Sequence, residues 1–263
     1  MSLDERDVRR IGYVLLAIST AALGVLSLTT GEFAYTWQPV PEGLPGREVF
    51  ARLVGAALIG VSALLLVPRT ARQGLGAMIV VFAAWLLALH VPELLFRGGW
   101  LGFCEFLLPL GACLATAGVA AQDTASGIRH IVAARILFGV GLLGCGLSHF
   151  LYATFAAEMI PEWMPARLFF TYLTGAGHLA AGLSLLSGVA LRLSSALLCF
   201  MLACFVLLLH VPRVLATPNR YECTMLIVAL LFNGAAWLMA AAVRAQRVQA
   251  RRAFGGRRTV PAA

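Results

Sequence analysis

Apolar residues fall in eight blocks along the chain, roughly 11–30, 49–67, 75–91, 103–121, 131–153, 167–189, 195–211 and 223–243. Short stretches rich in Arg, Glu, Pro and Gly separate them. A bilayer core about 30 Å thick takes roughly 20 residues at helical rise, which these blocks supply. The blocks are apolar throughout, whereas a transmembrane barrel strand would alternate with period two. The pattern therefore predicts an all-α membrane protein with eight transmembrane helices. The first block is read as a retained helix and not a cleaved leader. Its preceding segment carries three acids (Asp4, Glu5, Asp7) beside three arginines (Arg6, Arg9, Arg10), and no small-x-small cleavage site follows.

The pattern also repeats at a shift of 120 residues. Pro41-Glu42-Gly43-Leu44-Pro45 lines up with Pro161-Glu162-Trp163-Met164-Pro165. Arg47, Phe50, Leu53, Gly55 and Ala56 line up with Arg167, Phe170, Leu173, Gly175 and Ala176. Leu89-His90-Val91-Pro92 lines up with Leu209-His210-Val211-Pro212. The register slips by a few residues near residue 105. Four helices per repeat is an even number, so the units share one orientation, unlike the inverted repeats of many transporters. The expected organisation is two parallel four-helix bundles: residues 1–121, a linker 122–130, residues 131–243, and a basic tail 244–263 that is disordered or lies on anionic lipid.

Composition adds orientation. Of 263 residues 60% are hydrophobic and 12% charged, well short of the roughly one-quarter charged content of soluble domains. The formal charge of +8 comes from twenty arginines, which read as topology signals and not as a nucleic-acid surface. Sorting the loops alternately puts fourteen arginines and four acids on the face with both termini, against six arginines and eight acids on the other. The arginine-rich face is expected to be cytoplasmic.

Candidate chemistry is sparse. The two P-E-x-x-P loops read as rigid elbows, because the residue before each proline is pushed toward extended geometry. Pro41, Pro45, Pro161, Glu162 and Pro165 are thus structural. The H-V-P sequences, with Pro92 and Pro212, are expected to end helices, leaving His90 and His210 to bond free carbonyls. The second repeat carries polar residues that the first lacks: His149, Tyr152, Tyr172 and His178 stand where Thr29, Glu32, Arg52 and Leu58 stand. Together with His210 these make a candidate polar pocket, or else ties between helices. By rise alone His149 lies about 6 Å and His178 about 17 Å inside their helices, which pairs His149 with His210 and leaves His178 too deep. A three-histidine metal site is not expected. Glu105 reads as a partner for Arg97 or a helix cap, and Glu32 as a partner for Arg52. The six cysteines have no metal or C-x-x-C spacing. Packing thiols are favoured over a Cys104–Cys223 disulfide.

The second repeat resembles the DoxX-like membrane protein family. The resemblance rests on Gly146-Leu147-Ser148-His149-Phe150-Leu151-Tyr152, Pro161 to Pro165, Tyr172-Leu173-Thr174-Gly175-Ala176-Gly177-His178, Gly182-Leu183-Ser184-Leu185-Leu186 and Leu209-His210-Val211-Pro212-Arg213. The first repeat looks like a diverged copy. The resemblance implies four-helix membrane modules and kinship with membrane subunits of quinone-linked oxidoreductases, hence an accessory or anchor subunit in a bacterial-type inner membrane. A soluble or membrane partner and contact with quinone are implied with it. The alternative is a small-solute transporter with its site between the repeats.

The arginine bias predicts that a C-terminal alkaline phosphatase fusion, active only outside the cytoplasm, stays silent. An active fusion would reverse the assigned faces.

Overall fold

In an apolar solvent each backbone N–H must be satisfied within its own segment, which makes a helix of every spanning block. The computed structural model describes residues 4–122 and 124–255, with side chains to residue 246. Among these residues there is no strand. The helices are α1 (Glu5–Thr30), α2 (Arg47–Leu66), α3 (Ala71–Arg97), α4 (Trp100–Ala120), α5 (Ala125–Leu151), short α6 (Ala153–Met159), α7 (Arg167–Ser187), α8 (Leu191–Ala216) and α9 (Arg220–Gly255). Eight of them, all but α6, are long and apolar enough to cross a membrane.

Three boundaries differ from the sequence reading. Neither H-V-P ends its helix. At Leu86–His90 and again at Phe205–His210 the helix opens into a π turn, in which Val91 N–H bonds Leu86 O and Val211 N–H bonds Val206 O. A proline ring clashes with the carbonyl four residues back and has no N–H to offer it. Widening the turn relieves the clash, and the helices run on to Arg97 and Ala216. The linker is shorter than 122–130, because the Thr124 hydroxyl accepts from Gly127 N–H at 3.0 Å and starts α5 at Ala125. The tail is partly ordered, since α9 continues to Gly255 through Ala- and Gln-containing sequence of good helix propensity. Residues 256–263 lie outside the described residues.

Both elbows share one backbone device. Gly46 (φ 68°) precedes α2, and Ala166 (φ 51°) precedes α7. The left-handed conformation suits the glycine and strains the alanine.

The helices form one core and not two separate bundles. α1 packs on α2 and α9, α4 on α5 and α9, and α5 on α7, so the halves are joined along α1–α9 and α4–α5. A single apolar cluster runs through all of them, from Leu16 and Leu23 through Phe82, Phe106 and Phe138 to Leu231 and Leu238. α9 and α4 are central, with 72% and 61% of their apolar windows buried, while α2 and α8, at 28% each, are peripheral. Lipid is as apolar as leucine, so close backbone approach holds such helices together. At the α1–α9 seam a Cβ on Gly234 would stand 2.7 Å from Leu16 N. Toward the start of α1, Glu5 and Arg9 lie beside Thr116 and Val119 of α4 and Leu238, Ala241 and Ala242 of α9.

Gly234→Leu is expected to cost at least about 3 kcal/mol, because the atom it would strike is backbone. Gly60→Leu, with nothing within 4 Å of its Cβ position, should stay within about 0.5 kcal/mol. Thermal unfolding in detergent reads both. Equal losses would show that the α1–α9 approach does not limit stability.

Candidate functional site

The polar chemistry gathers toward the face opposite the termini, in two arrangements, one in each half. In the first half, the loop after α1 folds inward. Phe33, Ala34, Trp37 and Gln38 are all buried, and the Gln38 side-chain oxygen accepts from Ala34 N–H at 2.9 Å. Trp37 stacks on Phe106 of α4 at 4.0 Å between ring centroids and meets Phe232 of α9 edge-on at 5.4 Å. His90 Nε2 lies 3.1 Å from Trp37 O. A carbonyl only accepts, so Nε2 carries the proton. His90 thus holds an inserted loop rather than a helix end, and its ring lies 4.1 Å from Phe106. Trp85 lies 6.1 Å from the same Phe106. The π turn between Trp85 and His90 therefore puts these two residues, five apart, on one face of α3.

An ion cluster closes this loop from above. Glu32 bonds Arg47 of α2 and lies 3.1 Å from Arg220 of α9. Arg220 also sits over the Tyr35 ring at 5.3 Å, and Tyr35 meets Tyr221 edge-on at 5.6 Å. Glu32 does not pair with Arg52, which takes Glu48 one helical turn away. The Arg47 hydrogen bond holds the Glu32 carboxyl below its ordinary value of 4.5.

In the second half the rings of His149 (α5) and His178 (α7) lie 5.1 Å apart, and Phe205 of α8 is 6.1 and 5.9 Å from them. The depth reading paired the wrong histidines. It compared backbone positions, but side chains on a helix lean toward its N-terminus. α5 and α7 are antiparallel, so His149 leans inward and His178 outward until they meet. Each ring shows this lean: His149 Nδ1 is 2.8 Å from Cys145 O, and His178 Nδ1 is 2.9 Å from Thr174 O. Glycine lets the helices approach here; a Cβ on Gly175 would stand 2.7 Å from the His149 Cβ. Both Nδ1 atoms must donate, so both rings present an Nε2 lone pair.

The other candidates go elsewhere. Tyr152 stacks on Trp100 at 6.1 Å, and Tyr172 on Phe150 at 5.5 Å. His210 is buried and its Nδ1 has no hydrogen-bond partner. Near it Arg213 binds both oxygens of buried Glu222, at 2.9 and 2.5 Å, and reaches Met159 O of α6 at 3.5 Å. This pair was not singled out from the sequence. Its nine-residue separation spans a helix end and a turn, which no periodic pattern marks. Glu105 neither pairs with Arg97, which takes Glu93, nor caps α4, which begins five residues earlier at Trp100, and no hydrogen bond or ion pair reaches it among the described residues. All six cysteines are free, and Cys104 packs over Gly144 of α5. No group of three or more potential metal ligands occurs among the described residues.

No family model, no curated protein and no solved structure matches this chain.

Because Glu32 titrates lower in the folded state, its stabilisation is complete above about pH 4.5 and fades as the pH falls through the lowered value. Its side chain is 40% exposed, so the effect is modest. Emission from buried Trp37 is expected to shift on acidification below about pH 4.5 and to lose that dependence in Glu32→Gln. An unchanged acid transition in Glu32→Gln would place the titrating group elsewhere.

Proposed function

We propose that this chain is a DoxX-like accessory or anchor subunit of a bacterial-type inner membrane, with both termini cytoplasmic, whose second half binds a small hydroxyl-bearing ring of the hydroquinone class. The observation that carries the ligand assignment is the His149–His178 pair. Its two Nδ1 protons are committed to backbone carbonyls, which leaves two Nε2 acceptors 5.1 Å apart by ring centroid beside Phe205. Paired acceptors beside an aromatic ring suit a donor on a flat apolar molecule: a hydroxyl to the nitrogens, a ring face to Phe205. A hydroquinone has this form and reaches the site through lipid. Histidine within a membrane span is expensive to keep, which weights the pair toward function.

The two halves are read as tandem copies. The shared 120-residue offset, the two H-V-P π turns and the left-handed residue before both α2 and α7 support that reading. On it, the fold elements are common to both halves, and the working chemistry lies where they differ. The alternative, a small-solute transporter with its site between the halves, is disfavoured by the close glycine contacts of α1 with α9 and α4 with α5.

The test is purification from native membranes, followed by solvent extraction and identification of bound lipid-soluble rings and of any co-purifying subunit. His149→Gln and His178→Gln are expected to lower ligand occupancy about tenfold, the loss of a hydrogen bond of about 1.4 kcal/mol. His130→Gln, exposed at the start of α5, should leave it unchanged. Equal occupancy in all three variants would make the histidine pair a structural tie.

A further inference from the structure

We infer that Glu105 is a proton-binding site within the bilayer, a carboxyl that keeps its proton near neutral pH and is reached from the lipid. The inference goes beyond the ligand reading of the histidine pair and stands or falls separately from it.

α4 starts at Trp100, whose ring stacks on Tyr152 as in an interfacial aromatic belt. Glu105 is five residues further in, roughly 7 Å by helical rise. The other carboxylates toward this face are paired or exposed. Glu32, Glu48, Glu93 and Glu222 each hold an arginine, and Glu42, Glu158 and Glu162 are exposed. Those pairs take up Arg47, Arg52, Arg97, Arg213 and Arg220. The remaining arginine of this face, Arg167, starts α7, whereas α4 packs on α3, α5 and α9. Glu105 itself is half-buried, which leaves it open to a small apolar reagent.

No cation faces Glu105 from the elements packed against it. α9 has no titratable residue between Cys223 and Arg244, and α3 has none between Arg72 and His90. His90 lies against Gly102 of α4 and gives its proton to Trp37 O. α5 brings the buried Cys145, whose thiol interacts with the Glu105 carboxyl. One turn further on, His149 is tied through Nδ1 to Cys145 O. Cys104, on α4 itself, packs over Gly144. The backbone also disfavours an anion. Pro109 lies inside α4 and has no N–H for the Glu105 carbonyl four residues back, so an acceptor oxygen stays beside the carboxyl. A helix N-terminus favours an anion only within its first turn, and Glu105 lies beyond it. A carboxylate here would be a charge without a counterion in apolar surroundings, and such a group takes up a proton instead. The neutral acid donates as well as accepts. It gives the interior of the second half an O–H close to His149, whose Nε2 has no hydrogen bond.

Dicyclohexylcarbodiimide, which partitions into lipid, reads this state because it reacts with the undissociated acid. The acid adds across one C=N bond: its proton goes to nitrogen and its oxygen to the central carbon. A shift of the acyl group from oxygen to nitrogen then leaves a stable N-acylurea. No oxidant is needed and no group leaves.

The experiment uses the full chain in phosphatidylcholine nanodiscs at about pH 7.5, roughly three units above the ordinary glutamate value. Peptide mass spectrometry is expected to find one intact carbodiimide on Glu105 and none on Glu32, Glu93 or Glu222, which their arginines keep ionised. Lowering the pH to about 5 should raise the labelling rate less than tenfold, where an ordinary glutamate would gain roughly a hundredfold or more. Glu105→Gln should lose both the label and the infrared C=O stretch of an undissociated carboxyl. Circular dichroism checks its folding, and if it does not fold, the pH series on the unaltered chain decides. A rise of more than tenfold between about pH 7.5 and 5 shows an ionised Glu105 and overturns the inference. So does labelling confined to other carboxyls, absence of label at both pH values, or an infrared band that persists in Glu105→Gln.

Discussion

A bilayer offers no water to a backbone N–H, and it offers apolar side chains no reason to leave lipid for one another. The first condition makes each spanning block a helix. The second removes the force that assembles soluble cores, so association depends on how closely backbones approach. Glycine faces decide this along the main seams. Gly24 lies against Gly55 between α1 and α2, Gly146 against Gly175 between α5 and α7, and Gly12 and Gly234 against Leu238 and Leu16 between α1 and α9. The last seam and α4–α5 tie the halves into one core, and peripheral α2 and α8 turn most of their surface to lipid.

Within this frame the two prolines after histidine set where chemistry can occur. A proline that broke its helix would leave His90 and His210 at frayed ends. The π turns instead carry α3 and α8 past the proline and rotate the face on which the histidine lies. That rotation brings His90 against Phe106 and Trp37, and it places His210 on the face that carries Phe205.

The two halves differ in where the segment after their first long helix goes. In the first, His90 gives its Nε2 proton to Trp37 O, and the Glu32–Arg47–Arg220 cluster holds the loop over it. In the second, the segment after α5 forms short α6, which is half-buried to exposed. There the rings of His149 and His178 lie 5.1 Å apart with no hydrogen bond at either Nε2, and His210 keeps a buried Nδ1 without a partner. The contrast in tautomer follows from local geometry. His90 spends its Nε2 proton on a distant loop, whereas His149 and His178 give their Nδ1 protons to carbonyls one turn back on their own helices.

The sequence by itself determined the eight spans, their helical character and the 120-residue internal match, because those depend on composition and order along one segment. The P-E-x-x-P elbows were legible for the same reason, since proline restricts its own neighbours. Contacts between segments were not legible. Helix ends misled at His90 and His210, because whether proline stops a helix or widens it depends on what packs beyond it. Depth arithmetic separated His149 from His178, because it ignored the opposite lean of side chains on antiparallel helices. Charge complementarity along the chain suggested Glu32 with Arg52 and Glu105 with Arg97, yet the nearest acid in three dimensions took each arginine. The Trp37 plug had no sequence signal at all. An aromatic residue in a polar loop reads as an interfacial anchor, and only the packed bundle shows a space between α3, α4 and α9 that it enters.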